Sequence, residues 1–106
     1  MVSEAEVVPV LETIYDPEFH VDIYNLGLIY EVRILDHSVE VDLTFTSPTC
    51  PAAGMILYEI KEKLKPFFPN GVRVNIVYEP RWEPSMIKPK GRKKLPPQII
   101  SFLDFG

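Results

Sequence analysis

Hydrophobic residues recur along the chain at two spacings, and these spacings predict where helices and strands lie. Near the N-terminus, Val7, Leu11 and Ile14 lie at helical spacing and predict a short amphipathic helix. This helix begins either at a capping box over residues 3–6 or with Pro9 in its first turn. It ends near residue 15, because the residue before a proline is pushed out of the helical region.

Two neighbouring segments then alternate between apolar and polar residues. Residues 28–35 and 39–45 each place their apolar side chains on one face, as half-buried strands do. Only the short Asp36-His37-Ser38 turn separates them, so the two strands are predicted to form an antiparallel hairpin.

The best-defined helix comes next. Its apolar residues follow one continuous stripe: Ala53, Ile56, Leu57, Ile60 and Leu64. Pro51 suits the first helical position, where a missing N–H costs nothing, so Cys50 is predicted at the N-cap. A third alternating segment over residues 72–78 is predicted as a strand with Ile76 and Tyr78 facing inward.

The succession of a strand, a helix and a strand implies a right-handed crossover with parallel strands. We therefore predict an α+β fold in two layers, with helices on one face of a small mixed three-stranded sheet in the order α-β-β-α-β. A Pro-rich tail follows. The predicted division is a domain over residues 1–87 and a basic, then apolar, extension over residues 88–106, whose apolar end is expected to dock on its own body or on a second copy.

Composition narrows the class of protein. The chain has 106 residues, of which 46% are hydrophobic, and no apolar run approaches the ~20 residues of a membrane span. Its N-terminus carries acidic residues where a secretory signal carries Lys or Arg, and no small-residue cleavage site follows an apolar stretch, so the cytoplasm is expected. Four aromatic residues resemble a stacking surface for single-stranded nucleic acid, but core packing is the preferred interpretation: Tyr24, Tyr30, Tyr58 and Trp82.

Charge is unevenly distributed. Residues 1–80 hold 5 Lys/Arg and 13 Asp/Glu, a net charge of −8. Residues 81–106 hold 6 Lys/Arg and 2 Asp/Glu, a net charge of +4. The two regions together give the overall net charge of −4. An acidic body argues against nucleic acid as the main partner, because binding phosphates requires clustered cations.

The single cysteine, Cys50, cannot form an internal disulfide. A thiol at the start of a helix is stabilised as a thiolate, which attacks electrophiles or binds a soft metal. The alternative is that Cys50 is a small buried hydrophobe, the commoner fate of a free cysteine.

Four short motifs occur in a characteristic order and spacing over residues 6–87. They are Asp16-Pro17-Glu18, the run Asn25-Leu26-Gly27-Leu28-Ile29-Tyr30, the run Thr44-Phe45-Thr46-Ser47-Pro48-Thr49-Cys50-Pro51, and Glu79-Pro80-Arg81-Trp82-Glu83-Pro84. This series resembles the MIP18-like or SufT-like family (DUF59, related to PaaD). The resemblance implies a non-enzymatic factor in iron-sulfur cluster assembly or transfer, which handles a labile cluster or iron shared with a partner.

The resemblance also implies the site: Asp16, Glu18, Thr46, Ser47 and Cys50. Cys50 is the expected thiolate ligand, and hydroxyls and carboxylates beside it can orient or ligate the cargo. The implied partners are iron-sulfur client proteins, a P-loop carrier ATPase and a second copy of the chain. The sequence departs from the family pattern at three positions. It has His20 where a proline is usual, Asn25 where an aspartate is common and Glu83 where a threonine is frequent. His20 is a further candidate metal ligand.

Two other functions compete with this one. In the first, Cys50 is the nucleophile of a thiol enzyme with His20 or a carboxylate as base. In the second, the protein is a metal-free scaffold in which the tail and the loop before the helix bind partners and Cys50 only packs.

Overall fold

Three strands form the sheet at the centre of this protein, whose computed structural model describes residues 2–46 and 51–95. The strands are β1 (Ile29–Leu35), β2 (Ser38–Leu43) and β3 (Gly71–Ile76), with β2 in the middle. β1 pairs antiparallel with β2, and β3 pairs parallel with β2. The predicted mixed three-stranded α+β fold is confirmed.

A two-residue turn joins β1 to β2. Leu35 pairs with Ser38, and the two residues between them, Asp36 and His37, have φ values of 37° and 65°. Two consecutive positive φ values are typical of a type I′ turn, whose twist matches that of the flanking strands. The predicted hairpin is therefore closed by the turn geometry that hairpins favour.

The first helix, α1, spans Glu4–Leu11 and follows Ser3 at the N-cap. The backbone N–H of Ser3 donates to Oε2 of Glu6 at 3.4 Å, as expected for the capping-box alternative. Pro9 lies inside the helix rather than in its first turn. The helix ends earlier than predicted, because the N–H groups of Thr13 and Ile14 bond to carbonyls three positions back instead of four.

The core lies between the sheet and the helices. The second helix, α2, spans Ala53–Leu64 and buries Ile56, Ile60 and Leu64. β2 buries Val39, Val41 and Leu43 on the facing side of the sheet. Each such side chain contributes about 1.5–3 kcal/mol through removal of apolar surface from water. No helix in the described part of the chain is long and apolar enough to cross a membrane.

The opposite face of the sheet is polar. Arg33 of β1 donates to Glu40 at 3.0 Å and, through two nitrogens, to Asp42 at 2.9 and 2.7 Å. Asn75 of β3 donates to the other oxygen of Glu40 at 2.7 Å. The hydrogen bonds from Arg33 lower the pKa of Asp42, and those from Asn75 and Arg33 lower the pKa of Glu40. This face is the solvent side that alternation predicts.

The chain after β3 packs back on the body. It contains a 3₁₀ turn at Pro84–Met86 and a four-residue helix, α3, at Pro89–Arg92. Trp82 is buried, and its Nε1 donates to the carbonyl of Leu26 at 2.9 Å. Ile87 and Leu95 are buried as well. The apolar residues 99–105, which were expected to dock, lie outside the described residues, and the boundary between residues 87 and 88 stays a prediction.

Three aromatic or aliphatic side chains are more exposed than predicted. Ile76 and Tyr78, expected to face inward, are 42% and 47% exposed, and Tyr58, assigned to the core, is 65% exposed. Alternation fixes the face of the sheet on which a side chain lies but not whether another element covers it. Tyr58 stands two positions from both Ile56 and Ile60, so on a helix it points away from the buried stripe.

Candidate functional site

Asp16 organises the turn that follows α1. Its side chain is buried, and Oδ1 accepts the backbone N–H groups of Glu18 at 2.8 Å and Phe19 at 3.2 Å. Its carbonyl accepts the N–H of His20 at 2.9 Å. An aspartate that accepts backbone N–H groups two and three positions ahead stabilises a tight turn. The Asp-Pro-Glu motif is therefore a turn built on the Asp16 side chain.

The second oxygen of Asp16 is different. Oδ2 is buried and has no hydrogen-bond partner among the described residues. Most buried polar atoms have a partner, so an unpaired carboxylate oxygen is an available acceptor for a donor or a cation. Glu18 and His20 are exposed, and His20 has a φ of 58°.

Thr46 lies in the loop that follows β2 and is half-buried. The start of this loop is held to the β1 side, because Thr44 N–H donates to the carbonyl of Leu28 at 2.8 Å. Ser47 and Cys50, the other predicted site residues of this loop, lie outside the described residues.

The predicted helix cap at Cys50 is wrong. α2 begins at Ala53, and Ala52 occupies the N-cap position, with its carbonyl accepting the N–H of Ile56 at 3.0 Å. Pro51 and Ala52 form a turn before the helix. Proline at the first helical position is a preference rather than a requirement, and here the helix begins two residues later. The expectation that Cys50 is a thiolate therefore has no support from a capping position at the start of α2.

Trp82 lies close to both predicted site loops, the Asp16 turn and the loop that contains Thr46. The ring of Phe19, in the Asp16 turn, lies 6.0 Å from the ring of Trp82, measured between centroids, at a tilt of 45°. Trp82 also lines a cavity of about 360 Å³ together with Thr46. No hydrogen bond joins Asp16 or Glu18 to Thr46 within the described ranges.

In residues 2–46 and 51–95, no cluster of three or more His, Cys, Asp or Glu side chains is placed to hold a metal ion. This range does not include Cys50. The ligand roles of Cys50 and His20 stay predictions.

A polar network next to this turn was not predicted. Asp22 is fully buried, and the side-chain amide of Asn25 donates to it at 3.0 Å and to Glu12 at 2.9 Å. Lys94 donates to Asp22 at 3.2 Å, and Lys90 donates to Glu12 at 2.9 Å. The hydrogen bonds from Asn25 and Lys90 lower the pKa of Glu12, and the bond to Asp22 raises the pKa of Lys94.

The network explains two features of the sequence. Asn25, noted as a departure from the usual aspartate, supplies the amide that bridges two carboxylates. Lysines of the basic run near residue 90 form ion pairs with carboxylates of the acidic body. The opposite net charges of the two regions were the feature of the sequence that could have indicated this pairing.

The fold and these loops define a small two-layer α+β domain in which the Asp-Pro-Glu turn contacts Trp82 through Phe19 and the threonine-containing loop lines a cavity with the same tryptophan. The chain belongs to the family described as iron-sulfur cluster assembly proteins, whose model matches residues 4–76. The MIP18-like (DUF59) resemblance is thereby confirmed.

Relatives agree with this assignment. An Fe-S protein maturation auxiliary factor of Porphyromonas gingivalis is 37% identical over 95 residues, which cover 88% of this chain and 90% of the relative. The Fe-S protein maturation auxiliary factor SufT of Staphylococcus aureus is 40% identical over 76 residues, covering 70% and 86%. A domain of unknown function DUF59 from Bacillus anthracis has a similar structure, with a TM-score of 0.78, 34% identity and coverage of 85% and 88%.

Proposed function

We propose that this protein is a non-enzymatic factor that assembles iron-sulfur clusters or transfers them to client proteins, with Cys50 as a thiolate ligand. The observation that carries the proposal is the family match over residues 4–76, because that range contains every predicted site residue. The relatives named as maturation factors support the same role.

The cluster, or iron, is the cargo of this protein. Iron-sulfur clusters are usually held by four cysteine thiolates, and this chain has one cysteine. The remaining thiolates come from outside the chain: a second copy, a client protein or a small thiol. A labile, shared cargo suits transfer, because each ligand can be replaced in turn by a ligand of the client.

The Asp-Pro-Glu turn supports handling of such cargo. The free Oδ2 of Asp16 can accept a hydrogen bond or contact a cation without breaking the turn, which depends on Oδ1. Glu18 is exposed next to it, and Thr46 and Ser47 supply hydroxyls that can donate to sulfur. We assign these four residues to the surroundings of Cys50.

The partners follow from the cargo. We propose iron-sulfur client proteins, a P-loop carrier ATPase that delivers or receives clusters, and a homodimer in which two Cys50 thiolates share one cluster. The proposed location is the cytoplasm.

A transfer assay tests the proposed function. The full chain, loaded anaerobically with iron and sulfide, is incubated with an apo-ferredoxin in the presence of an iron chelator, and formation of holo-ferredoxin is followed by circular dichroism in the visible range. Direct transfer predicts that holo-ferredoxin forms despite the chelator. If the chelator stops its formation as completely as it stops formation from free iron and sulfide, the transfer role is wrong.

A further inference from the structure

β3 is an edge strand whose outer side is free. It pairs with β2 alone in the part of the chain that the structure describes. The N–H of Val77 donates to the carbonyl of Leu43 at 2.8 Å, and backbone groups alternate sides along a strand. The N–H and C=O groups of Val72, Val74 and Ile76 therefore point away from the sheet.

The two edges of the sheet differ in their protection. β1, the other edge strand, has an irregular register between Ile29 and Glu31, and the hydroxyl of Tyr30 donates to the carbonyl of Pro80 in the segment that follows β3. Bulges and covering segments are common means by which edge strands avoid pairing with another chain. β3 has six residues in regular register and no proline, so its edge is open to such pairing.

Two β3 edges match each other in one register. An antiparallel pair centred on Val74 places Val74 opposite its own copy and Val72 opposite Ile76, and it aligns all three outward residues in about six hydrogen bonds. Arg73 then lies opposite Asn75. The neighbouring register, centred on Arg73, would place two arginines opposite each other, and like charges in that position are destabilising.

The apolar side chains at this edge are complementary under the same symmetry. Val72 and Ile76 lie on the face of the sheet that the helices cover, because their partners in β2 are buried. A cavity of about 500 Å³ lies beside Val72, lined also by Phe68, Pro69 and side chains of α2. Ile76 is 42% exposed. In the register centred on Val74, Ile76 of a second copy lies opposite Val72 and faces this cavity.

The charges on the polar face are complementary as well. Arg73 is exposed and has no hydrogen-bond or ion-pair partner among the described residues. The side-chain amide of Asn75 donates to Glu40 at 2.7 Å and to Asp42 at 3.1 Å, so two carboxylates lie next to Asn75. When Arg73 lies opposite Asn75 of a second copy, its long side chain points toward these carboxylates.

We propose that β3 is the interface between two copies of this chain, which join edge to edge as antiparallel strands centred on Val74 and form one continuous sheet. The C-terminal ends of the two β2 strands then lie at opposite sides of the joined sheet. The interface forms without metal, and it is separate from the cluster-sharing contact proposed above.

Sedimentation velocity of the full chain, metal-free and reduced, measures the association over a range of concentrations. Wild type is expected to form a dimer. Ile76→Lys places a charge opposite Val72 and should weaken the association at least about tenfold. Leu35→Lys is the matched control, because it makes the same change at an exposed apolar residue of the opposite edge strand, and it should associate like wild type. Far-UV circular dichroism verifies that each variant is folded.

A disulfide reports the register and does not depend on the Ile76→Lys variant. In a Cys50→Ala background, Val74→Cys places two cysteines opposite each other with Cα atoms about 5.5 Å apart, which suits a disulfide. Val72→Cys is the control, because its two copies are offset by about 13 Å along the strands. Mild oxidation is expected to cross-link Val74→Cys and to leave Val72→Cys without a covalent dimer.

A monomeric wild type, equal association of wild type and Ile76→Lys, or equal cross-linking of the two cysteine variants would each overturn the proposal. These outcomes leave the proposed function in place, since no iron is present in either measurement. Conversely, a β3 dimer in a protein that takes up no cluster would refute the cluster role and support this interface.

Discussion

The ammonium of Lys94 lies 3.2 Å from Oδ1 of Asp22, a carboxylate with no exposed surface. The two residues are far apart in sequence, and their contact fixes the segment after β3 on the turn next to Asp16. Asn25 also donates to Asp22, so the buried charge is compensated from two sides. The basic run over residues 88–94 thus packs on the body and stabilises the fold, and it does not form a free cationic tail.

Removing the Lys94 charge should lower stability. Lys94→Met is expected to reduce the free energy of unfolding by about 1 kcal/mol, because the lysine is partly exposed and water replaces some of the lost interaction. Urea unfolding measures the effect. Lys93→Met, which changes an exposed neighbour, is the control and should unfold like wild type. Equal stability of all three proteins would show that the ion pair contributes nothing.

The docking of α3 depends on a glycine. A Cβ added to Gly91 would lie 2.6 Å from the carbonyl oxygen of Asn25, so Gly91→Ala forces the segment away from the body. We expect a loss of about 1–3 kcal/mol from such overpacking. Gly54→Ala is the matched control: nothing lies within 4 Å of the added Cβ in α2, and alanine favours the helix, so stability should rise by up to about 1 kcal/mol. Thermal unfolding of the two variants should shift in opposite directions, and a shift in the same direction would contradict the packing.

The two oxygens of Asp16 should be separable by mutation. Asp16→Asn keeps an acceptor for the N–H groups of Glu18 and Phe19, so its stability should stay within about 1 kcal/mol of wild type, whereas Asp16→Ala loses both bonds and about 1–3 kcal/mol. If the free oxygen contacts the cargo, Asp16→Asn should also reduce iron binding in anaerobic reconstitution. Normal iron content in a folded Asp16→Asn protein would show that the Asp16 carboxylate does not contact the cargo.

Stability should decrease in acid. The folded-state pKa values of Glu12 and Asp42 lie below their ordinary values of 4.5 and 3.8. A lowered pKa contributes stability above the ordinary value, and this contribution is lost as the pH falls through the folded-state pKa. Urea unfolding at pH 6, 4 and 3 should show a smaller loss for Arg33→Met than for wild type, because the variant lacks the hydrogen bonds that contribute most to the lowered pKa of Asp42. An identical pH dependence in both proteins would rule out this cause.

Local sequence patterns were sufficient to predict the three strands, the antiparallel hairpin and the parallel direction of β3, whereas the position of β2 in the middle of the sheet came from the structure. Alternation in β1 and β2, the turn at Asp36 and His37, and the apolar stripe of α2 each specify one element, and the right-handed crossover rule then fixes β3 parallel to β2. These signals act over a few residues, so a single sequence contains them.

The remaining features depend on contacts between distant residues. No local pattern indicates that Lys94 meets Asp22, that Trp82 donates to Leu26, or that α2 begins after Ala52 rather than at Pro51. The same limit applies to the candidate site: its residues came from the family resemblance, whereas the free oxygen of Asp16 was visible only in the structure.

The most direct test of the account is anaerobic reconstitution of wild type and Cys50→Ala with iron and sulfide, followed by visible absorbance and by iron and sulfide content. Far-UV circular dichroism of both proteins establishes that the variant is folded. We predict that wild type gains the absorbance of a bound cluster and that Cys50→Ala does not. Equal absorbance and equal iron in the two proteins would contradict the role of Cys50 as a ligand of the cargo.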